Sequence, residues 1–439
     1  MKNKFLYYAI ITLLLTQACS AQKQEQPNIS EQEVTRVLKT LSADDMRGRN
    51  ALKPNDIAKA ADFIAEEFKK AGLEYFNSAN SYQQTFDLKN VMPLGGSLEI
   101  NGTEVATDNY VVSADQEKVE LTSIPKLINI EKGDDFFAEY EEVSNSKENV
   151  LVQIDESFKS SFDRLKAYLS QGNMSIGKTE SPTIIYLLGK PKIESLALNF
   201  TNKVSIVPMF NVLGVLPGKS KPNEYVVFSG HYDHLGIIPA VDRDSIANGA
   251  DDDASGTTAV IELGKYFAAK NDNERTLIFV AFTAEEIGGY GSQYFSKQLN
   301  PDEVVAMFNI EMIGKASKFG KNNAFITGYE RSDFGKILQK NLKGTNFKFY
   351  PDPYPEQNLF YRSDNATLAK LGVPAHTISS DQIDTDKLYH SVDDEFETVD
   401  VKNITEIIKA IAISAGSIVS GEDTPTRVSL TPALSEGDK

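Results

Sequence analysis

Four short stretches gather residues able to do chemistry. His231, Asp233 and His234 fall within 229–236, and Asp251, Asp252 and Asp253 within 248–256. Glu285 and Glu286 fall within 283–288, and Glu311 follows Asn309 within 308–314. A fifth stretch, 388–394, carries Tyr389, His390 and Asp394. Imidazoles grouped with three or more carboxylates, and no thiolates, suit a pair of borderline divalent cations such as zinc. Adjacent Glu285 and Glu286 would repel each other if both were buried without a cation, and a metal removes that cost. The chain has only 4 His and 1 Cys, which excludes a disulfide framework and a thiolate zinc site.

These stretches need a frame that brings them together. Short apolar runs at 225–229, 276–282, 304–310 and 374–379 read as strands, with helices at 255–269 and after Gly291 between them. That alternation predicts an α/β fold whose mixed sheet is mainly parallel and sandwiched by helices. In open α/β sheets, sites form beyond the carboxyl ends of the strands, where the first four stretches would meet. Before this region, Ser30 with Glu33 resembles a capping box, and a second helix begins after Pro54 and stops at Gly72. From 95 to 205 the pattern changes to an inserted, strand-rich module with an Asn101-Gly102 hairpin turn. It holds no His and no dense polar cluster. The expected divisions are 1–21 leader, 22–94 N-terminal helices, 95–205 insert, 206–420 catalytic domain and 421–439 flexible tail.

The 439 residues are 41% hydrophobic and 24% charged, an ordinary globular balance. With 45 Lys and Arg against 62 Asp and Glu, the net charge is -17, which argues against a nucleic-acid partner. Lys2 and Lys4 precede an apolar run from Phe5 to Leu15, followed by small residues, as in a secretory signal. The lone Cys19 follows Ala18 and resembles a lipobox cysteine, which would anchor the chain to a membrane by lipid. Plain cleavage near Ala21 is the other reading. Both expect an exported protein: periplasmic or outer-membrane-anchored in the first case, secreted or periplasmic in the second.

Taken together and in this order, the five stretches resemble the di-zinc aminopeptidase family that includes aminopeptidase Y, bacterial leucyl aminopeptidases and glutamate carboxypeptidase. His231 and Asp252 are 21 positions apart, and Asp252 and Glu286 are 34 apart, as the family pattern requires. The resemblance covers about 210–401 and implies the zinc exopeptidase fold, two Zn2+ (or other divalent metals) and a peptide substrate. It implies that His231, Asp252, Glu286, Glu311 and His390 are metal ligands, with Asp252 bridging. It casts Asp233 as the acid orienting His231, Glu285 as the general base and Tyr389 as the hydroxyl steadying the oxyanion. Glu311 departs from the usual Asp. His234 is not a ligand in the family and is expected to hydrogen-bond within its loop. His376 reads as a satisfied core histidine, while Asp251, Asp253 and the Ser363-Asp364 pair read as helix caps. The insert resembles a protease-associated module by position and strand content. The resemblance favours an aminopeptidase, leaving carboxypeptidase and dipeptidase open. A glutaminyl cyclase with one zinc and a non-catalytic receptor ectodomain are the alternatives on this fold.

Overall fold

Two helices open the described residues. In the computed structural model, which describes residues 28–177 and 180–429, Ser30 Oγ accepts from Glu33 N at 3.2 Å and opens α1 (Glu31–Leu41). Pro54 occupies the first turn of α2 (Pro54–Ala71), and Gly72 ends it with φ 75°, a left-handed conformation suited to glycine. Val34, Leu38, Ile57, Ile64 and Phe68 lie at helical spacing and are fully or almost fully buried. The expected leader, including Cys19, and residues 430–439 lie outside the described residues.

Two long antiparallel strands follow, β1 (Gln83–Ile100) and β2 (Leu196–Leu216), paired from Gln83↔Val212 to Ile100↔Leu196. The chain then alternates through β3 (Lys221–His231), α3 (Gly256–Lys270), β4 (Arg275–Phe282), α4 (Tyr290–Ser296) and β5 (Val304–Ile310). It finishes with β6 (Asn323–Ile326), α5 (Phe334–Asn341), β7 (Lys348–Pro351), β8 (Ala375–Ser379) and α6 (Val401–Ser414).

The sheet order is β7-β6-β8-β5-β3-β4-β2-β1. β4, β3, β5 and β8 are parallel, and antiparallel strands flank them, β2 beside β4 and β6 beside β8. Every residue of β4 and β8 is buried, because helices cover both faces. On one face α1, α2, α3, α5 and α6 bury Phe68, Leu263, Phe267, Leu338 and Ile408. On the other, Phe295 of α4 packs with Phe360 and Leu368. Among the described residues, no helix is long and apolar enough to cross a membrane.

β1 and β2 run straight through positions 95 and 205, with a bulge between Pro93 and Gly95. Beyond the bulge they pack with strand Lys118–Leu121 against a second sheet ordered Tyr110–Ser113, Ile184–Leu188, Val150–Ile154, Lys126–Ile130. Helices Phe136–Ser144 and Lys159–Ser170 cover its other face. Strand Asn173–Ile176 returns to β1, and Met174 and Ile176 pack in a cluster with Ala284 and Ile287. The insert therefore touches the turn that carries Glu285.

The described part of the tail, 421–429, is not the flexible segment expected. Val428 is buried and its N–H donates to Gly372 O at 3.0 Å, while Arg427 Nη1 donates to Pro301 O and Val304 O, each at 3.0 Å. Buried Arg275 donates to Asp423 O at 2.7 Å and also to the Thr424 hydroxyl. Polar composition hid these bonds because they are made by backbone carbonyls and by arginines far away in sequence.

Candidate active site

β3 is the central parallel strand, and its last residue is His231. His231 N donates to Asp253 Oδ2 at 3.1 Å, and its carbonyl accepts from Thr257 Oγ1 at 2.7 Å. Its Nδ1 lies 3.1 Å from Asp233 O. A carbonyl can only accept, so Nδ1 carries a proton and Nε2 is the nitrogen left to face the carboxylate. That Nε2 is 3.2 Å from Asp252 Oδ1.

The three consecutive aspartates occupy an irregular turn ahead of α3. Asp253 Oδ1 accepts from Gly256 N, the first N–H of α3, at 3.0 Å and from Met312 N at 3.1 Å, so it binds the helix start from two residues ahead of the N-cap, Ser255. Asp251 does not: its Oδ1 accepts from Gly314 N at 2.6 Å and its Oδ2 lies 3.3 Å from Lys315 Nζ. The Asp394 carboxylate accepts from Asp251 N and Asp252 N at 3.0 Å. α3 starts so close to β5 that a Cβ on Gly256 would sit 2.1 Å from Ile310 O. Only Asp252 is left with its carboxylate directed at imidazoles.

After β4, Ala284 takes φ 61° and the chain turns through Glu285 and Glu286. Glu285 N donates to Asp233 Oδ1 at 3.1 Å and Glu286 N to Asp233 Oδ2 at 3.4 Å. This corrects the expected role of Asp233. Its carboxylate lies 3.9 Å from His231 Nδ1 and holds the turn of the two glutamates, while its backbone carbonyl orients the imidazole.

Glu286 Oε2 is 3.0 Å from His390 Nε2, which in turn is 3.3 Å from Asp252 Oδ2. His234 Nδ1 is 2.7 Å from Glu286 Oε1, and its buried Nε2 has no hydrogen-bond partner. His234 thus bonds across to Glu286 rather than within its own loop. Glu311 follows β5, with its N–H donating to Ile378 O at 3.1 Å and its buried Oε2 lacking a partner. The Tyr389 ring stacks on His390 with centroids 3.9 Å apart.

Asp252, Glu285, Glu286, Glu311, Tyr389 and His390 line one cavity of about 240 Å³. His231 lies behind Asp252, almost wholly buried. Met312, Phe325, Leu359 and Ile383 add apolar lining to the cavity.

Burial pushes Glu285 well above the usual carboxylate range, and the charges of Glu311, Asp364 and Glu286 add to this. Burial likewise raises Glu311 to about 7. Asp252 goes the other way: burial would raise it, but His231, His234 and His390 hold it well below the usual range. Hydrogen bonds to Asp252 and then Glu286 raise His390 to about 10. Protonated imidazole thus does the work of a cation among crowded acids. Imidazole nitrogens facing both oxygens of one buried carboxylate, with the orphaned Glu311 Oε2 beside them, make a donor set that fits divalent metal.

His376 is the core histidine expected, with Nε2 2.7 Å from Ser332 Oγ and Nδ1 2.8 Å from Thr327 O. Asp364 starts the short helix Asn365–Ala369 but makes no side-chain cap bond, and Ser363 Oγ instead accepts from Asn309 Nδ2 at 2.7 Å.

One buried side chain that binds the site together escaped the sequence reading. Arg49 donates to Leu41 O, Tyr232 O, Asn248 O and Gly249 O at 2.6–2.9 Å, tying α1 to both the His231 and Asp252 loops. A lone arginine in a polar stretch carries no local signal for that role.

The model of peptidase family M28 matches residues 211–414. The matched segment runs from within β2 to the end of α6, so the insert and the N-terminal helices lie outside it. Among curated relatives, a "Probable zinc metalloprotease" of Pyrenophora teres f. teres (strain 0-1) is 36% identical over 113 residues, 25% of this chain and 23% of that protein. "Leucine aminopeptidase 1" of Aspergillus fumigatus is 29% identical over 213 residues, 46% of this chain and 53% of that protein. The chain thus spans about a quarter to a half of the length of these relatives. Two solved structures share the fold. An aminopeptidase from Aneurinibacillus sp. strain AM-1 has TM-score 0.52 at 18% identity, covering 93% of this chain and 98% of its own. BSAP, a zinc aminopeptidase from Bacillus subtilis, has TM-score 0.54 at 15% identity, covering 91% and 97%.

Proposed function

We propose that this chain is a zinc-dependent aminopeptidase holding two zinc ions and hydrolysing N-terminal residues from peptides. The observation that carries the reading is the Asp252 carboxylate, buried between His231 and His390 at 3.2 and 3.3 Å. His231, Asp252 and Glu311 would hold one ion, and Asp252, Glu286 and His390 the other. Bound zinc supplies a polarised scissile carbonyl and an acidified water.

Glu285 is the proton acceptor. It lines the same cavity, and burial raises its proton affinity, so it takes a proton from water and returns it to the leaving amine. Asp233 fixes the backbone from which Glu285 projects. The Tyr389 phenol is kept protonated by burial and by Asp252, so it can donate to the developing oxyanion. The small cavity suits a chain end rather than a peptide passing through.

The test is hydrolysis of leucine p-nitroanilide and of its N-acetylated form, with zinc counted per chain. The reading expects cleavage of the free amine only, loss on chelation, recovery with zinc, and two equivalents. Cleavage of the acetylated substrate, or conversion of N-terminal glutamine to pyroglutamate at one zinc per chain, overturns it. Export and acylation of Cys19 belong to the same proposal. Soluble behaviour of wild type and Cys19→Ser alike, with a mature start at Gln22, would refute the anchor.

A further inference from the structure

The active-site cavity is walled by carboxylates, yet one guanidinium borders it. Asp252, Glu285, Glu286, Glu311 and Asp381 all face this space, and besides the His390 imidazole, already engaged by Asp252 and Glu286, the basic side chain at its border is Arg362. In a chain with 62 acidic residues and net charge -17, a guanidinium at this cavity without a counter-ion is open to an incoming anion. Arg36, Arg47, Arg275 and Arg427 each lie within 4.0 Å of an acid. Among the described residues, Arg362 has no carboxylate within ion-pair distance. Its guanidinium makes one long hydrogen bond, Nη1 to Gln357 Oε1 at 3.4 Å.

The backbone beneath this free head is firmly placed. Next to it, Ser363 Oγ accepts from Asn309 Nδ2 at 2.7 Å, and Asn309 sits on β5 two residues before Glu311. Asn365 donates to Phe360 O at 3.0 Å and Ala375 O at 3.1 Å, pinning the same segment to the start of β8. Arg362 therefore has a fixed stem and an unspent, exposed fork at the edge of the cavity. A planar fork of N–H donors matches a carboxylate in bidentate geometry. Among the described residues no such partner is built in, so the arrangement fits one that arrives with the substrate.

We propose that Arg362 binds a carboxylate of the peptide substrate, which makes short peptides with a free C-terminus the preferred class. The inference rests on the aminopeptidase reading and deepens it. In a dipeptide, the C-terminal carboxylate lies one residue beyond the scissile bond, about 3.5 Å along the chain. A cavity of about 240 Å³ keeps that group near its wall. An acidic side chain on the second residue offers the same chemistry, and the substrates below separate the two.

The experiment measures KM and kcat of the zinc-loaded protein with Leu-Leu, Leu-Leu-amide and Leu-Glu-amide, for wild type, Arg362→Ala and Arg362→Lys. Charge-assisted hydrogen bonds of this kind predict a KM for Leu-Leu about 10–100-fold below that for Leu-Leu-amide in wild type. In Arg362→Ala that ratio should fall towards one, and Arg362→Lys should restore part of it. A preference for Leu-Glu-amide that vanishes in Arg362→Ala assigns the carboxylate to the side chain. Equal KM ratios in wild type and Arg362→Ala for every pair overturn the proposal. If wild type cleaves none of these peptides, the aminopeptidase reading falls by itself. Calorimetric binding of Leu-Leu against Leu-Leu-amide to wild type and Arg362→Ala then decides the carboxylate site by the same ratio.

Discussion

Asp233→Asn separates two ways in which this aspartate could serve the site. Its carboxylate accepts from Glu285 N at 3.1 Å and Glu286 N at 3.4 Å, while its backbone carbonyl holds His231 Nδ1. An asparagine keeps one acceptor oxygen and turns the other end into a donor facing a donor. One buried N–H then loses its partner, at a cost of about 1–3 kcal/mol. Asp233→Ala would orphan both and cost about 2–6 kcal/mol, a large share of a typical stability of about 5–15 kcal/mol. The asparagine is therefore the usable variant. Displacing Glu285 by about 1 Å should lower kcat by roughly 10²-fold. Zinc affinity should stay near wild type, because the carbonyl that orients His231 is retained. The assay combines zinc stoichiometry after graded chelation with kcat of the fully loaded enzyme and urea unfolding. If instead zinc affinity falls about 10–100-fold, as loss of a ligand-orienting acid does, while kcat of the loaded enzyme is unchanged, the argument is refuted.

Four further perturbations test other parts of the structure. Glu285→Gln should keep its zinc and lose roughly 10²–10⁴ in kcat, and near-normal turnover would remove Glu285 as the base. Glu311→Asp withdraws its carboxylate by one methylene, about 1.5 Å, and should release one zinc equivalent at chelator levels that leave the other bound; two equally retained ions would count against Glu311 as a ligand. Arg49→Met strips hydrogen bonds from four buried carbonyls and should destabilise the fold by more than about 4 kcal/mol, measured by urea unfolding, and a cost below about 1 kcal/mol would contradict its role as a tie. Burial lowers His376 to about 4 from an ordinary 6.5, so the unfolded chain takes up this proton first; its stabilising contribution is complete above about pH 6.5 and is lost as pH falls through about 4, roughly 3 kcal/mol in all. Unfolding curves of wild type and His376→Asn that stay parallel from pH 7 to 4 would exclude this.

What could be read from the residues depended on how local its cause was. Leu277–Phe282 of β4 is an uninterrupted apolar run because both faces of the sheet are covered, so its position, and the reactive residues at the ends of β3, β4 and β5, were legible. Ser30, Pro54 and Gly72 act within one helical turn, and they too could be read directly. The insert's edges could not, since β1 and β2 pass through 95 and 205 without a break and only the bulge after Pro93 marks the change. The partner of Asp233 was misread for a related reason. His231 is two residues away in sequence, whereas the N–H groups that its carboxylate binds are 52 and 53 residues away.

The run Asp251-Asp252-Asp253 carries this furthest. Three identical side chains in succession give sequence no basis for dividing labour, and resemblance alone singled out the middle one. The irregular turn sends them in three directions. Asp253 takes N–H groups from His231, Gly256 and Met312, fastening the ends of β3 and β5 to the start of α3, and Asp251 takes Gly314 N and Lys315. Asp253 is consumed by the frame, and Asp251 is held to it by Gly314 and Lys315, its buried Oδ2 making no hydrogen bond. Asp252 is the residue whose backbone is bound, by Asp394, while its carboxylate remains turned to His231 and His390. The neighbouring acids thus position a carboxylate that the fold itself leaves without a structural task. That is why substituting Asp251 or Asp253 should first cost stability, whereas substituting Asp252 should first cost metal.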